Sequence, residues 1–341
     1  MVSPKLNIGT FNLLNLSLPG VEYYRRRSYD QFTYSKKLSW ISNQLEKMNA
    51  DIIGFQEVFH EEALEELLKY SNQYAEYNLA STVQQEPNKR PFVALASKYE
   101  IVESQVYSTF PSVIHFDEGN VAIDKFSRPV LRCKIKLVEG VEIQCFVAHL
   151  KSKRPDYPEN IDRKDRFHPR EKAHAKVRAL VRRAFEAAAL RELMLTYLMN
   201  KDEPVVLIGD LNDNDLAVST KLISGEPPHK NEKQSVKREI WDSLLYNVKD
   251  IQARMSFHDY YFTHIHNGHY EALDHILVSQ EFVQENPKGI GRIEYVKVFN
   301  DHVIDETLSD ECVPEWQSDH GQVVACIELK RRIFEKKIIN H

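Results

Sequence analysis

The sequence predicts an α/β protein built on mixed rather than purely parallel sheets, and three observations predict it. Short β-prone apolar runs recur along the chain; Val-Val-Leu-Ile at 205–208 is the clearest and is too short for a helix of its own. Between such runs lie longer stretches with apolar residues at three- and four-residue steps, the mark of helices lying on a sheet. Two neighbouring strands are joined around Glu139-Gly140, and a turn that tight makes them antiparallel.

Composition sets the frame. The 341 residues are 42% hydrophobic and 28% charged, the balance of a packed globular chain. No Gly/Ser- or Pro-rich linker divides it, so one domain over residues 1–330 is expected, followed by a basic tail at 331–341. The net charge of −5 excludes a protein that is basic overall and captures polyanions at long range; any phosphate-binding surface must be local. No apolar run approaches a membrane span, and residues 1–10 lack the charged-then-apolar pattern of a signal peptide. The chain as given is therefore expected in the cytoplasm, without stable membrane association. Cys133, Cys145, Cys312 and Cys326 show no Cys-x-x-Cys spacing, and free thiols fit them better than zinc ligands or a redox pair.

Taken in order, residues 6–16 read as an opening strand that ends near the amide Asn12. Tyr23 to Tyr29 is a basic and aromatic cluster suited either to a solvated loop or to contact with phosphates and bases. Leu38, Ile41, Leu45 and Met48 give a helix over 34–48, and 50–59 is a second strand with Glu57 at its end. A helix follows over 61–69. Strands are expected at 92–97, 101–107, 130–138 and 141–150, with Phe126-Ser127-Arg128-Pro129 as a loop carrying one guanidinium. His149 closes the last of these strands and is followed by Lys151, Lys153 and Arg154.

Ala173, Val177, Leu180, Val181, Ala184, Ala188, Leu195 and Leu198 mark one long amphipathic helix over 171–199, with Pro169 near its start. It feeds the 205–208 strand, which stops at Gly209-Asp210-Leu211-Asn212. In an extended chain Asp210 and Asn212 project to one side, where an acid can deprotonate a water and an amide can donate to an oxyanion. Taken alone the same string is equally an Asp/Asn turn. Beyond it we expect a polar excursion to residue 254 with a helix at 238–248, a strand beginning near Leu273-Asp274-His275, loops through 286–314, and Ser318-Asp319-His320 at the start of a closing strand, 322–329.

Every one of Asn12, Glu57, His149, Asp210, Asn212, Asp274, Asp319 and His320 lies at a predicted strand end. The pieces Thr-Phe-Asn, Phe-Gln-Glu, Ala-His-Leu, Gly-Asp-Leu-Asn, Leu-Asp-His and Ser-Asp-His, in that order, resemble the motifs of the endonuclease/exonuclease/phosphatase superfamily. The resemblance implies a four-layer α/β sandwich, two mixed sheets face to face with helices outside, and a phosphoester hydrolase. It implies Glu57, Asn12 and Asp319 as oxygen ligands of Mg²⁺ or Mn²⁺, Asp210 as the base for the attacking water and Asn212 as an oxyanion donor. His149 and His320 would hold nonbridging oxygens or protonate the leaving group, and Asp274 would orient His320. Deoxyribonuclease-like members pair the equivalent of His149 with a glutamate, and no such glutamate is identifiable here.

His-Leu-Lys-Ser-Lys, Phe-Ser-Arg-Pro and Leu-Asp-His-Ile-Leu-Val-Ser look most like the bacterial nuclease branch. A nuclease on DNA or RNA is therefore expected, with nucleic acid as partner and Arg128, Lys151 and Lys153 on flanking phosphates. A phosphatase or phosphodiesterase on a small or lipid phosphate ester is the alternative. A catalytically inactive binding module is the third reading; retention of Glu57, Asp210, Asn212, Asp319 and His320 argues against it.

Overall fold

The computed structural model describes residues 4–23, 27–83, 90–111, 123–138, 140–158, 160–199, 201–229, 231–253, 261–266, 269–283, 286, 288–306 and 312–330. The chain enters as β1 (Lys5–Leu16), α1 (Gln31–Met48), β2 (Ile52–Val58), α2 (Glu61–Tyr70), β3 (Asn78–Ser81) and β4 (Phe92–Ser97). It continues through β5 (Glu100–Thr109), β6 (Lys125–Val138), β7 (Val141–His149), α3 (Pro169–Leu198), β8 (Val205–Asp210), α4 (Val218–Ser224) and α5 (Gln234–Asp242). It closes with β9 (Tyr246–Asn247), α6 (Val248–Ala253), β10 (His264–His266), β11 (His269–Glu271), β12 (Asp274–Val278), β13 (Gly291–Phe299) and β14 (Gln322–Leu329).

Twelve of these strands form two six-stranded sheets, in the orders β13-β14-β1-β2-β4-β3 and β5-β6-β7-β8-β12-β9, while β10 and β11 make a separate ribbon. Each sheet holds one parallel pair, β1 with β2 and β7 with β8, and α1 and α3 are the crossovers that those pairs require. All other pairings are antiparallel, including the expected β6–β7 hairpin.

Strand alternation sorts the residues into layers. Leu6 and Ile8 of β1, Ile143, Cys145 and Val147 of β7, Val206 and Ile208 of β8, and Ile276 and Val278 of β12 all bury into one core between the sheets. The intervening residues face outward under helices: Phe11, Ile53 and Phe55 pack with Leu38, Ile41 and Leu45 of α1 and Leu64 and Leu67 of α2. On the other sheet, Phe146, Val205 and Leu207 pack with Leu190 and Met194 of α3 and Ile223 of α4. Helix, sheet, sheet, helix is the four-layer sandwich expected. Continued two residues at a time, the inter-sheet face of β1, β7 and β8 ends at Asn12, His149 and Asp210, and that of β12 begins at Asp274.

Two glycines are required by this packing. A Cβ on Gly54 would sit 3.2 Å from the Val147 side chain and 3.3 Å from Ile208, across the inter-sheet gap. Gly209 lies in the strand before Asp210 at φ +149°, and a Cβ there would run into the carbonyl of Ala148 on β7.

Several expectations need correction. The stretch read as loop over 286–314 contains β13, paired along its length with β14. A register break between Ile293 and Tyr295 scrambles the alternation that would have announced it. The helix expected at 238–248 is α5, which ends at Asp242, and Tyr246-Asn247 is an edge strand against β12. Arg128 lies within β6 rather than in a loop. Pro129 is tolerated beside it because the ladder to β7 begins only at Leu131, and the ladder to β5 shifts register between Tyr107 and Thr109.

The first half of α3 is rotated from the expected face: it buries Ala175, Ala179, Arg183, Glu186 and Ala187 and leaves Val177 and Leu180 exposed. The basic tail 331–341, the middle of the Tyr23–Tyr29 cluster and the turn residue Glu139 lie outside the described residues. Tyr23 and Tyr29 themselves are buried and pack ring to ring. Cys133, Cys145 and Cys326 are buried free thiols, and Cys312 is a free thiol at the surface. Among the described residues no helix is long and apolar enough to cross a membrane.

Gly209→Ala should lower stability by about 2 kcal/mol or more, because either β7 or β8 must move to admit the methyl group. Urea unfolding followed by circular dichroism checks this; an unchanged midpoint would contradict the packing described.

Candidate active site

Three strands deliver the centre of the site by register alone. His149 of β7 and Asp274 of β12 are both direct register partners of Asp210 on β8, so three polar groups stand side by side at one sheet edge. All three are buried, and side chains converge on one atom, Asp210 Oδ2. Asn12 Nδ2 donates to it at 3.2 Å, His149 Nε2 lies 3.4 Å away and His320 Nε2 4.0 Å away. The other oxygen, Oδ1, accepts the backbone N–H of Asn212 at 2.8 Å. Burial pushes the Asp210 carboxyl up to about 7; the positive charge of His320 opposes the rise and the Asp274 charge adds to it.

His320 arrives from the turn before β14. Ser318 places it, donating from Oγ to the carbonyl of Asn12 at 2.7 Å while accepting the His320 N–H at 3.0 Å. Its Nδ1 hydrogen-bonds Asp274 Oδ2 at 2.8 Å, which leaves Nε2 facing Asp210. Burial works against an imidazolium here, but Asp274, Asp210 and Asp319 together hold its pKa well above the ordinary histidine value. His149 goes the other way: burial first, then the charges of Arg128 and His320, push it well below that value. One histidine is thus cationic and its neighbour neutral. His149 Nδ1 has no hydrogen-bond partner among the described residues, so the carboxylate that pairs with this position in deoxyribonuclease-like proteins has no counterpart among them.

Glu57 depends on a bulge. Regular alternation along β2 would send it under the helices with Ile53 and Phe55. Its φ of +61°, at a register break against β4 between Phe55 and Val58, re-aims it. Burial raises its pKa, Arg128 and His320 lower it, and Asp319 raises it, which puts its carboxyl in the same electrostatic neighbourhood as those groups. Beside it β1 breaks register after Asn12, with Leu14 and Asn15 both at positive φ. Asn212 is a fourth left-handed residue at this edge, at φ +56°, and its Nδ2 donates to the carbonyl of Leu150 at 3.0 Å.

The donors present suit a cation. Asp319 Oδ1 and Asp274 Oδ1 are buried without hydrogen-bond partners among the described residues, an unfavourable arrangement that a positive ion would relieve. The ligand atoms of Asp210, Asp274 and His320 lie within 4.8 Å of one another, and so do those of His264, Asp319 and His320. Glu57 is in neither group, and Asn12 uses its Oδ1 to accept the N–H of Leu14 at 3.0 Å.

Of the expected phosphate contacts, Arg128 is best placed: its Nη1 donates to the Leu150 carbonyl at 3.2 Å, its buried Nε has no partner among the described residues, and its charge acts on both Glu57 and His149. Lys153 is bound to Glu271 at 2.6 Å and lies 3.6 Å from Asp213, while Lys151 Nζ donates to the carbonyl of Arg154. Both are therefore engaged with the protein itself.

Several contributors escape a reading of the sequence. Glu186 of α3 accepts the backbone N–H of Ser127 at 2.8 Å and of Lys151 at 2.7 Å, and so ties the Arg128 strand to the end of β7. Arg183, one turn before it, reaches Asp213 Oδ2 at 2.9 Å and the carbonyl of Lys151 at 3.2 Å, adding the end of β8. Lys37 of α1 is fully buried and donates to the carbonyl of Leu14 at 2.9 Å; burial takes its pKa down to about 7 against the carboxylates of Glu57, Asp319 and Glu315. His264 stacks on His320 at 4.8 Å. The available signal was a charge on a buried stripe: Lys37 lies one turn before Ile41, and Arg183 and Glu186 sit among alanines.

A family model described as the Endonuclease/Exonuclease/phosphatase family matches residues 9–320, and the chain belongs to that family. No sequence among the curated proteins matches it. Solved structures with the same fold include the human Nocturnin catalytic domain with bound sulfate, 14% identical over 96% of each chain with a TM-score of 0.56. A humanized D. rerio TDP2 is 14% identical over 95% of this chain and 98% of its own, TM-score 0.54. A mannosyl-6-phosphatase from Bacteroides thetaiotaomicron is 16% identical over 94% of this chain and 99% of its own, also at 0.54. The family is one of phosphoester hydrolases.

If Asp210 must be ionised and His320 protonated for turnover, kcat/KM should follow a bell whose acid limb lies near pH 7. Asp274→Asn removes the charge that raises His320, so the alkaline limb should move down by about one pH unit or more. An unmoved alkaline limb in that variant would contradict the pairing.

Proposed function

We propose that the chain, as one catalytic domain over residues 1–330, is a metal-dependent phosphodiesterase that cleaves nucleic acid by in-line attack of water. The observation that carries the chemistry is Asp210: a carboxylate with a pKa near neutrality, its oxygens oriented by Asn12 and Asn212, between a neutral and a cationic histidine. Such a group can hold a water by one oxygen and take its proton as the water oxygen attacks phosphorus. The bond to the leaving oxygen breaks as the new one forms, and the departing oxygen takes a proton from solvent water, giving a phosphomonoester and an alcohol. His320, protonated by virtue of Asp274, donates from Nε2 to a nonbridging oxygen, and neutral His149 donates its single N–H beside it. Asn212 retains one amide hydrogen beyond its bond to Leu150 for the same oxygens. Arg128 offers its Nε–H, which has no partner among the described residues, to the phosphate or its neighbour in the chain.

Glu57, Asp319 and Asn12 are the hard oxygen donors that would hold Mg²⁺ or Mn²⁺. When bound, such an ion neutralises charge on the phosphate as it develops. A polymeric substrate is favoured by the Phe-Ser-Arg-Pro, His-Leu-Lys-Ser-Lys and Leu-Asp-His-Ile-Leu-Val-Ser pieces.

The test is hydrolysis by wild type and Asp210→Asn on plasmid DNA, single-stranded RNA, bis-p-nitrophenyl phosphate and a p-nitrophenyl monoester, each with Mg²⁺, with Mn²⁺ and with EDTA. Cleavage of a polymer that EDTA abolishes and Asp210→Asn lowers about 10²–10⁴-fold is the expected result. Activity confined to the monoester would overturn the phosphodiesterase reading.

A further inference from the structure

The outward face of α3 is apolar where a surface helix should be polar. Ala173, Val177, Leu180 and Ala184 follow one another at steps of four, three and four, so they form a continuous stripe along three turns. Val177 is 56% exposed and Leu180 54%. The stripe continues through Ala187, which is fully buried, to Arg191, whose Nη1 donates to the carbonyl of Ile223 in α4. α4 therefore covers the far end of the stripe and leaves its first three turns open. The start of α4 adjoins the open part, since Ser219 and Arg183 both bind Asp213. From there Leu216 and Val218 stand out at 73% and 84% exposure, and Phe167, in the turn that leads into α3, at 80%. These exposed side chains come from three separate segments.

The segment that carries most of this patch is basic on balance. Residues 151–183 carry twelve lysines and arginines against five acids, a net +7 within a chain of net −5. Lys172 and Lys176 on one flank of the stripe, and Arg170 at its head, are exposed with no acidic partner within 4.0 Å among the described residues. The order of groups eliminates occupants. A second copy of the chain would bring like charges face to face. A nucleic acid would use the cations and find one aromatic face, Phe167, but it would leave the four aliphatic side chains Val177, Leu180, Leu216 and Val218 in water, since none of them can stack on a base. A bilayer with anionic headgroups takes both: apolar side chains enter the acyl boundary and the flanking cations meet the headgroups.

We infer that the chain docks onto anionic membrane surfaces through the outer face of α3 with Phe167, Leu216 and Val218. Leu216 and Val218 follow Asp210, the last residue of β8, by six and eight positions, so docking through them brings that end of the strand toward the bilayer. This goes beyond the substrate reading above and stands without it.

The test is co-sedimentation of the full chain with large unilamellar vesicles of phosphatidylcholine alone and with one quarter phosphatidylglycerol. Wild type should partition to the anionic vesicles and not to the neutral ones, more weakly as salt rises. Val177→Ser/Leu180→Ser and Lys172→Glu/Lys176→Glu should each weaken partitioning about tenfold or more while turnover of a soluble ester is unchanged. Failure of wild type to bind anionic vesicles would overturn the inference. Loss of binding in the lysine variant alone would overturn it too; if that variant also lost affinity for a fluorescent oligonucleotide, the face would belong to nucleic acid.

Discussion

A carboxylate placed between two sheets is expensive unless every neighbour answers it, and Asp210 is placed there by strand alternation. The same two-residue period that buries Val206 and Ile208 brings Asp210 to the inter-sheet edge, so its position follows from the core and not from a loop. Its environment then follows in turn. Asn12 ends the matching face of β1 and gives it an amide hydrogen, His149 and Asp274 flank it in register, and His320 is fixed by Asp274 on one nitrogen so that the other faces Asp210. The site is built on strand ends, with left-handed residues at Leu14, Asn15, Glu57 and Asn212 making the last adjustments. Such strain is tolerable because the packed sheets on either side hold it in place.

The two histidines illustrate how one edge supports two protonation states. Both are buried, and burial alone would leave both neutral. Asp274 supplies the difference: it touches His320 and not His149, while Arg128 adds positive charge on the His149 side. Outside this inner group, Glu186 and Arg183 reach from α3 to three strand ends, and Lys37 reaches from α1 to the irregular part of β1. Both helices thus serve the site as well as the core, which explains why each buries charges on its sheet-facing side.

Much of this was legible in the sequence, and what was missed has a physical pattern. Strands with clean alternation, such as 141–149 and 322–329, and helices with an unbroken apolar stripe, such as α1 and α2, stand where expected. β13 was not seen because its bulge breaks the period at Ile293, and β9 because two residues carry no period at all. The residue types of the site were readable because each closes or opens a strand. The supporting shell was not: Lys37, Arg183 and Glu186 look like surface charges until the tertiary structure shows which helix face is buried. For α3 the pattern pointed to the wrong stripe, since Ala175, Ala179 and Ala187 with two hydrogen-bonded charges fit under the helix better than Val177 and Leu180, leaving those two in water.

The central claim is a single in-line displacement by water held at Asp210, and the stereochemistry at phosphorus tests it most directly. A chiral phosphorothioate diester should be hydrolysed in H₂¹⁸O with the label on phosphorus and with inversion of configuration. Retention would require two displacements and a covalent intermediate on the protein, and would contradict the role assigned to Asp210.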